Sequence, residues 1–448
     1  MIEPSGSSRS SLSDSSSSTA STITTTSTTI TTVEDRRHAV YGIFLLHGVG
    51  MLMSWNMFIT IAPQYYVSYW FTVDGNATSY AESFMSVIGA TSQIPNVGIM
   101  FVNIAIVVAG SLMYRIAVPL IINCFLVVVI VVLVIFVQPN DNDRNWFYIV
   151  TLVIIILMNL CNGVYQNSFY GLVADFPDNY PNSIIIGNNL CGIFTSLMSI
   201  FTTLVSPDSI KLNALLYFSI SLGILIICVL SLVLLVRLAY YRHIMANAEH
   251  VRRERDAERP SFAQFWECFS YCWVQLFNNF FVYFVTLTIF PAMMTETPYY
   301  RKSDEPWGSV FPENLYFAIN TFLNFNVFAS IGSLSANYIQ QPNPKFLWIP
   351  VVLRVLFIPF FMFCNYQPVG KSRTVSVVFK NEWWFTIAGS VMALTCGYFS
   401  SLALINTPRV VPTYYQKISG MAAAIALMLG ILCGVSFTPV IAAITAAL

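Results

Sequence analysis

Charge is what this chain has least of. Of 448 residues only 9% are Asp, Glu, Lys or Arg, and the two signs cancel to a net charge of zero. A soluble domain carries about 25% charged residues, so this chain cannot cover a water-facing surface of ordinary size. The cancellation also removes a basic face for nucleic acid and an acidic tail for a basic partner. Histidine is scarce: His38 and His243 lie at helix edges, His250 in a polar segment, and His47 alone in an apolar run. There is no HExxH, GxSxG or GxxxxGK[ST], and no paired aspartates or Ser/His couple at membrane depth, so no catalytic residues are expected. The nine cysteines include no CxxC pair and mostly sit in apolar runs, which speaks against a disulfide framework and a metal site. Nothing implies a cofactor.

What the chain does have is apolar sequence, 56% of its residues. A membrane crossing takes about 20 apolar residues. About eleven such runs are present, near 39–66, 84–110, 114–138, 146–174, 182–205, 211–238, 266–295, 311–339, 346–366, 382–407 and 417–446. The expected class is an all-α, multi-pass protein of the lipid bilayer. Pro95, Pro119, Pro291 and Pro359 interrupt runs and predict kinks. Ahead of the first run, residues 1–36 are rich in Ser and Thr and read as a disordered cytoplasmic tail. The segment 239–264, with Arg242, Arg252, Arg253, Arg255 and Arg259, reads as a charged cytoplasmic loop between a six-helix half (37–238) and a five-helix half (265–448). That bias puts the N-terminus in the cytoplasm and, with an odd number of spans, the C-terminus outside. Asn76-Ala77-Thr78 is an N-glycosylation sequon in the first outer segment.

Polar residues inside the runs carry the functional information, since in lipid they must face protein or a cavity. Asn159, Asn162 and Gln166 recur at i, i+3 and i+7 on one helical face. In "NTFLNFNVFASIGS", Phe322, Asn326, Ala329 and Ser333 share a second face, while Asn320 and Asn324 point away toward neighbouring helices. One such amide is as well explained by interhelical bonding, worth roughly 0.6–2 kcal/mol; two stripes favour a shared cavity. His47 is expected to be a hydrogen-bonded structural residue. Arg354 lies well inside its run, with either snorkelling to the surface or a gating role open to it.

Several stretches together resemble the equilibrative nucleoside transporter family: "LLHGVGMLMSWNMFITIAPQYY", "QNSFYGLVADFPDNYPNSIIIGNNLCGIF", "RVLFIPFFMFCNYQP" and "GYFSSLALINTPRVV". The resemblance implies eleven helices arranged as six plus five, major-facilitator-like, around a central site that opens alternately to each side. Carried onto this chain it implies substrate contacts from Trp55 and Asn56, from Ile59 where a methionine is common, from Gln166 and Ser168, and from Phe322 and Asn326. Asn162 stands where a small glycine is usual and, with Gln166, is expected to offer an amide contact to the ligand. In the family the eighth helix carries an Asp and an Arg that hold ribose hydroxyls; here those positions are Ala329 and Ser333. Removing one charge would strand its partner at about 3–5 kcal/mol, whereas removing both can be nearly neutral. The altered pair therefore reads as a coherent remodelling of the site.

The expected function is a facilitative, uncoupled carrier of nucleosides or nucleobases, monomeric, in the plasma membrane. Two alternatives stand beside it: a carrier of another small metabolite or organic cation, and a non-transporting sensor or scaffold on the same fold.

Overall fold

The computed structural model describes residues 35–105, 112–173, 176–177, 179–207, 209–254, 262–302, 305–412 and 415–447. Residues 1–34 of the expected tail lie outside the described residues.

The regular structure of the described residues is helical apart from one small hairpin. Helix α1 (Ala39–Ala62) continues into a wide π-helical segment, Pro63–Trp70, followed by strands β1 (Thr72–Val73) and β2 (Asn76–Ala77). The hairpin turns at Asp74-Gly75, both at positive φ, as a tight Asp-Gly turn requires. It leaves Asn76 exposed. Helices α2 (Ser79–Ala105), α3 (Leu112–Phe136), α4 (Arg144–Val173), α5 (Asn179–Val205), α6 (Ile210–Arg237) and α7 (Ala239–Glu254) follow. Then come α8 (Phe262–Ile289), the short α9 (Ala292–Thr295), α10 (Asn324–Tyr338) entered through a wide turn at Ala318–Leu323, α11 (Trp348–Leu353), α12 (Phe357–Phe363), α13 (Glu382–Asn406) and α14 (Gln416–Ala447).

Among the described residues nine helices are long and apolar enough to cross a membrane. The two remaining expected crossings differ for identifiable reasons. Helix α2 carries Ser92, Gln93, Asn96 and Pro95 and packs against α4 and α14, so it needs less apolar surface than a lipid-facing helix. The ninth run forms only Trp348–Phe363, divided into α11 and α12 by a 3-10 turn at Arg354–Leu356. The expected loop 239–264 is also partly a helix: α7 occupies its first 16 residues.

Local chemistry sets the helix starts. The Asp35 carboxylate accepts from the N–H groups of Val40 (3.1 Å) and Tyr41 (3.2 Å) and from the Tyr180 hydroxyl (3.1 Å), which ties the start of α1 to α5. Ser209 caps α6 and Asn381 caps α13. Pro95 and Pro119 sit inside continuous helices, whereas the α8 helix stops at Pro291.

The exposed surface is apolar, unlike that of a soluble protein, and the apolar core also holds polar side chains. Phe125, Phe136, Leu230 and Val233 are exposed on α3 and α6, while Asn123, Asn278 and Asn279 are completely buried. Apolar side chains face the position of lipid, and the interior holds amides and hydroxyls bonded between helices. Small residues permit the tightest crossing: α1 lies along α5 where Gly48 meets Gly187, and a Cβ added to Gly48 would sit 2.5 Å from the Ile184 carbonyl oxygen. Among the later helices, α8 runs along α14 and α10 along α13. Contacts of α14 with α2, and of α10 and its entry turn with α5, join the early helices to the late ones.

Candidate substrate cavity

Between those contacts lies a cavity of about 120 Å³. Trp55, Asn56 and Ile59 enter it from α1, and Phe322 and Asn326 from the entry turn and start of α10. Residues 55, 56 and 59 share a face by helical spacing, as do 322 and 326, so two local periodicities meet at one place. Five of the eight expected contacts are therefore brought together. Occupied small-molecule pockets usually measure about 300–1,000 Å³, so the cavity is contracted around these side chains.

Each lining amide is already engaged. The Asn56 side-chain N–H donates to the Cys191 sulfur at 3.5 Å, and the Asn56 main-chain carbonyl accepts from the Thr60 hydroxyl at 2.6 Å. Asn326 donates to Ser196 Oγ on α5 at 3.1 Å and to the Phe322 carbonyl at 2.9 Å. Phe322 meets Phe290 edge-on with centroids 5.7 Å apart. Asn326 thus both lines the cavity and bridges to α5.

Asn162, Gln166 and Ser168 are not among the residues lining this cavity. Asn162 is buried against α3, where its Oδ1 accepts from Asn123 at 2.6 Å. Asn159 likewise bonds within α4 and to Asn96 of α2 at 3.4 Å. The face that carries Asn159 and Asn162 meets neighbouring helices rather than open space. Gln166 is half-buried, and Ser168 is buried with its hydroxyl unpaired. Asn320 and Asn324 do turn to a neighbour: Thr386 donates to Asn320 Oδ1 at 2.8 Å and Ser390 to Asn324 Oδ1 at 2.7 Å, both from α13.

The cavity also has walls that the polar stripes did not reveal. Met85, Gly89 and Gln93 come from α2, Leu287 and Phe290 from α8 and its end, and Val435 and Thr438 from α14. Gln93 and Thr438 were visible as polar residues in apolar runs; the aliphatic members carry no signal that separates them from core.

Ala329 and Ser333 lie outside the cavity. The Ala329 carbonyl packs directly on Gly397 of α13, and Ser333 Oγ is 2.9 Å from Ser401 Oγ. The missing side chains of Gly332 and Gly397 let the backbones of α10 and α13 approach closely.

Two further polar residues are settled by their surroundings. His47 is fully buried between Tyr165 (Nδ1 to hydroxyl, 2.5 Å) and Ser231 (Nε2 to Oγ, 3.0 Å) and stacks on Phe169. Arg354 is 2% exposed and does not snorkel. It donates to the Val282 carbonyl and Thr286 hydroxyl of α8, both at 2.8 Å, and to the Met392 carbonyl (3.0 Å) and Thr395 hydroxyl (3.2 Å) of α13. All four partners are uncharged.

Residues 152–443 match the family model described as Nucleoside transporter. The chain belongs to that family. Similar proteins include equilibrative nucleoside transporter 1 of Rattus norvegicus, 27% identical over 455 residues and covering 90% of this chain and 96% of that one. Equilibrative nucleoside transporter 3 of the same species is 26% identical, covering 90% and 88% respectively. Equilibrative nucleotide transporter 1 of Arabidopsis thaliana is 24% identical, covering 89% of this chain and 85% of that one. The fold of this family member is shared with the crystal structure of a bacterial homolog to the human lysosomal transporter Spinster, in an inward-facing and occupied conformation. That likeness has a TM-score of 0.51 at 12% identity and covers 91% of this chain and 81% of that one.

Proposed function

We propose that the protein is a facilitative carrier of nucleosides or nucleobases that exposes its cavity alternately to the two membrane faces. The observation that carries this reading is the convergence of Trp55, Asn56, Ile59, Phe322 and Asn326, from early and late helices, on one internal cavity. Aromatic walls suit a planar base, and the two amides supply both donors and acceptors for its edge. Its small volume fits a contracted conformation that must widen to admit cargo. Residues 37–238 and 265–448 would then move as two halves, with Arg354 fastening α8 and α13 to the ninth crossing inside the second. Gln166 and Ser168 would reach the ligand only in a different conformation.

The reading includes a cytoplasmic N-terminus, an extracellular C-terminus, the plasma membrane, a monomer and glycosylation at Asn76, whose exposure in the hairpin suits modification. Among the residues lining the cavity none carries a charge, which disfavours an organic cation as cargo. The absence of an Asp/Arg pair favours nucleobases, which lack a ribose.

The test is uptake of labelled uridine, adenosine and adenine by transporter-deficient cells expressing the chain. Saturable uptake of at least one is expected. Surface expression without saturable uptake of any would refute the substrate class and leave the sensor reading, for which ligand-induced thermal stabilisation without flux is the signature.

A further inference from the structure

A second, larger cavity opens on the lipid-facing surface of the later helices. It measures about 530 Å³ and is walled by Trp273 and Phe277 of α8, by Pro344, Lys345 and Trp348 where the chain enters α11, and by Val410 just after α13. Trp273 and Trp348 are 55% and 47% exposed, so both indoles face outward. Helix α8 leaves the membrane face that carries α7, α10 returns to it, and α11–α12 and α13 repeat that circuit. The walls therefore gather at one level, near the face that carries α7.

A mismatch in helix length opens this cavity. The crossing that contains α8, Trp266–Thr295, has 30 residues, about 45 Å at 1.5 Å per residue against about 30 Å of hydrocarbon. Helices α11 and α12 with the turn between them run only from Trp348 to Phe363, about 24 Å. The short crossing is pinned beside the long one, since Gln275 donates to the Pro344 carbonyl at 3.0 Å. Gln275 lies nine residues past Trp266, about 13 Å along α8. The connection from α10 to α11 is thus drawn down the side of α8 to the level where the hydrocarbon begins. It is held there from α13 as well: the Tyr398 hydroxyl donates to the Gln341 carbonyl at 2.6 Å, and Arg409 donates to Gln340 Oε1 at 2.7 Å. A notch is left between the projecting start of α8 and the recessed start of α11.

The notch is apolar along its wall and cationic at its rim. The Lys345 ammonium has no partner among the described residues, and Arg409 places a second cation one residue from Val410. Residues 339–347 and 407–412 contain no Asp or Glu. The acidic residue on the adjoining part of α8 is Glu267, which accepts from the Tyr415 hydroxyl. Basic recesses between helices at this depth suit anionic headgroups, and tryptophans at this level belong to the membrane–water boundary. A zwitterionic headgroup would bring its own cation against Lys345 and Arg409. We propose that the notch is a binding site for one anionic phospholipid, with its phosphate on Lys345 and one acyl chain along Trp273, Phe277 and Trp348. The lipid fills the space that the short crossing leaves open. The site is separate from the cavity of Trp55 and Asn326, and it holds whatever cargo that cavity takes.

The experiment is quenching of tryptophan fluorescence in the full chain, reconstituted in phosphatidylcholine vesicles with a minor fraction of phospholipid brominated in its acyl chains. The brominated lipid is either phosphatidylserine or phosphatidylcholine. A bound chain brings bromine against Trp273 and Trp348, so brominated phosphatidylserine should quench about twofold more strongly than brominated phosphatidylcholine. Trp266, 68% exposed near the charged segment, also senses phosphatidylserine gathered there without a site. The excess should therefore fall at least about twofold, without vanishing, in Lys345→Ala and in Trp273→Phe/Trp348→Phe. Lys345→Arg should keep it. Lys345 is exposed, and unchanged quenching of Lys345→Ala by brominated phosphatidylcholine would show that its fold is intact. Inorganic phosphate, compared with chloride at equal ionic strength, should leave the excess unchanged. Equal quenching of the unaltered chain by the two lipids would overturn the proposal. So would an excess that survives whole in Lys345→Ala or in the double tryptophan variant, since the lipid then sits elsewhere. Loss of the excess on adding phosphate would make the notch a site for the free anion and overturn the lipid.

Discussion

Replacing Arg354 tests whether its buried charge stabilises the fold or only organises it. The guanidinium is 2% exposed and makes four hydrogen bonds to uncharged groups. Bonds to a charged donor are worth about 1.5–3 kcal/mol each, but burying an ion costs several kcal/mol in practice. The two terms are of similar size. The acceptors also have other partners: Thr286 Oγ1 donates to the Val282 carbonyl at 2.7 Å, and Thr395 Oγ1 to the Met392 carbonyl at 3.0 Å. Arg354→Met orphans neither carbonyl, removes the desolvated charge and keeps most of the volume, so its cost should stay within about 1–2 kcal/mol. Arg354→Lys keeps the buried charge but replaces a planar fork by a compact ammonium with three donors. It cannot span the same four acceptors, and about 2–4 kcal/mol of stability should be lost. The methionine variant should therefore melt above the lysine variant in detergent or nanodiscs, against the usual expectation for a conservative change. A lysine variant that melts with the unaltered protein, or a methionine variant that falls as far as lysine, would refute this reasoning.

Other expectations follow from single contacts. Asn326→Ala should lower kcat/KM for uptake about three- to tenfold at unchanged surface abundance, because a cavity amide and its bond to α5 are lost together; normal transport would reduce Asn326 to a helix–helix bond. Asn162→Ala should instead lower thermal stability by roughly 1 kcal/mol with KM unchanged, since its partner is Asn123. Gly48→Val should reduce folded yield in membranes by about 1–3 kcal/mol of overpacking, measured by size-exclusion of the solubilised protein, because α5 backbone occupies the space. Desolvation at the end of α9 pushes the Glu296 carboxyl up from 4.5 to about 7, so thermal stability should fall as pH rises through that window, and Glu296→Gln should flatten the slope in melting scans.

Much of the architecture was legible along the chain. Length and apolarity of the runs identify most crossings, because a helix facing lipid must satisfy that solvent residue by residue. The i, i+3, i+7 recurrence of Asn159, Asn162 and Gln166, and the separation of Asn326 from Asn320 and Asn324, also follow from helical spacing alone. The same spacing could not say what each face meets. The α4 amides meet α2 and α3, whereas Trp55 and Asn326, which lie far apart in sequence, meet across one cavity. Helix α2 illustrates the limit from the other direction: its polar residues weaken it as an apolar run, yet packing between α4 and α14 gives it a protein environment in which Gln93 becomes a cavity wall.

What the sequence determined by itself is therefore the solvent: a chain of long apolar helices with few charges has one stable environment, the bilayer, and each polar residue in it must be turned inward. Only the tertiary structure decided which inward-facing groups bind each other and which are left beside open space. That choice depends on the crossing of helices hundreds of residues apart, on close approaches such as Gly48 to Gly187 and Ala329 to Gly397, and on a buried arginine whose partners are two main-chain carbonyls and two threonine hydroxyls on other helices.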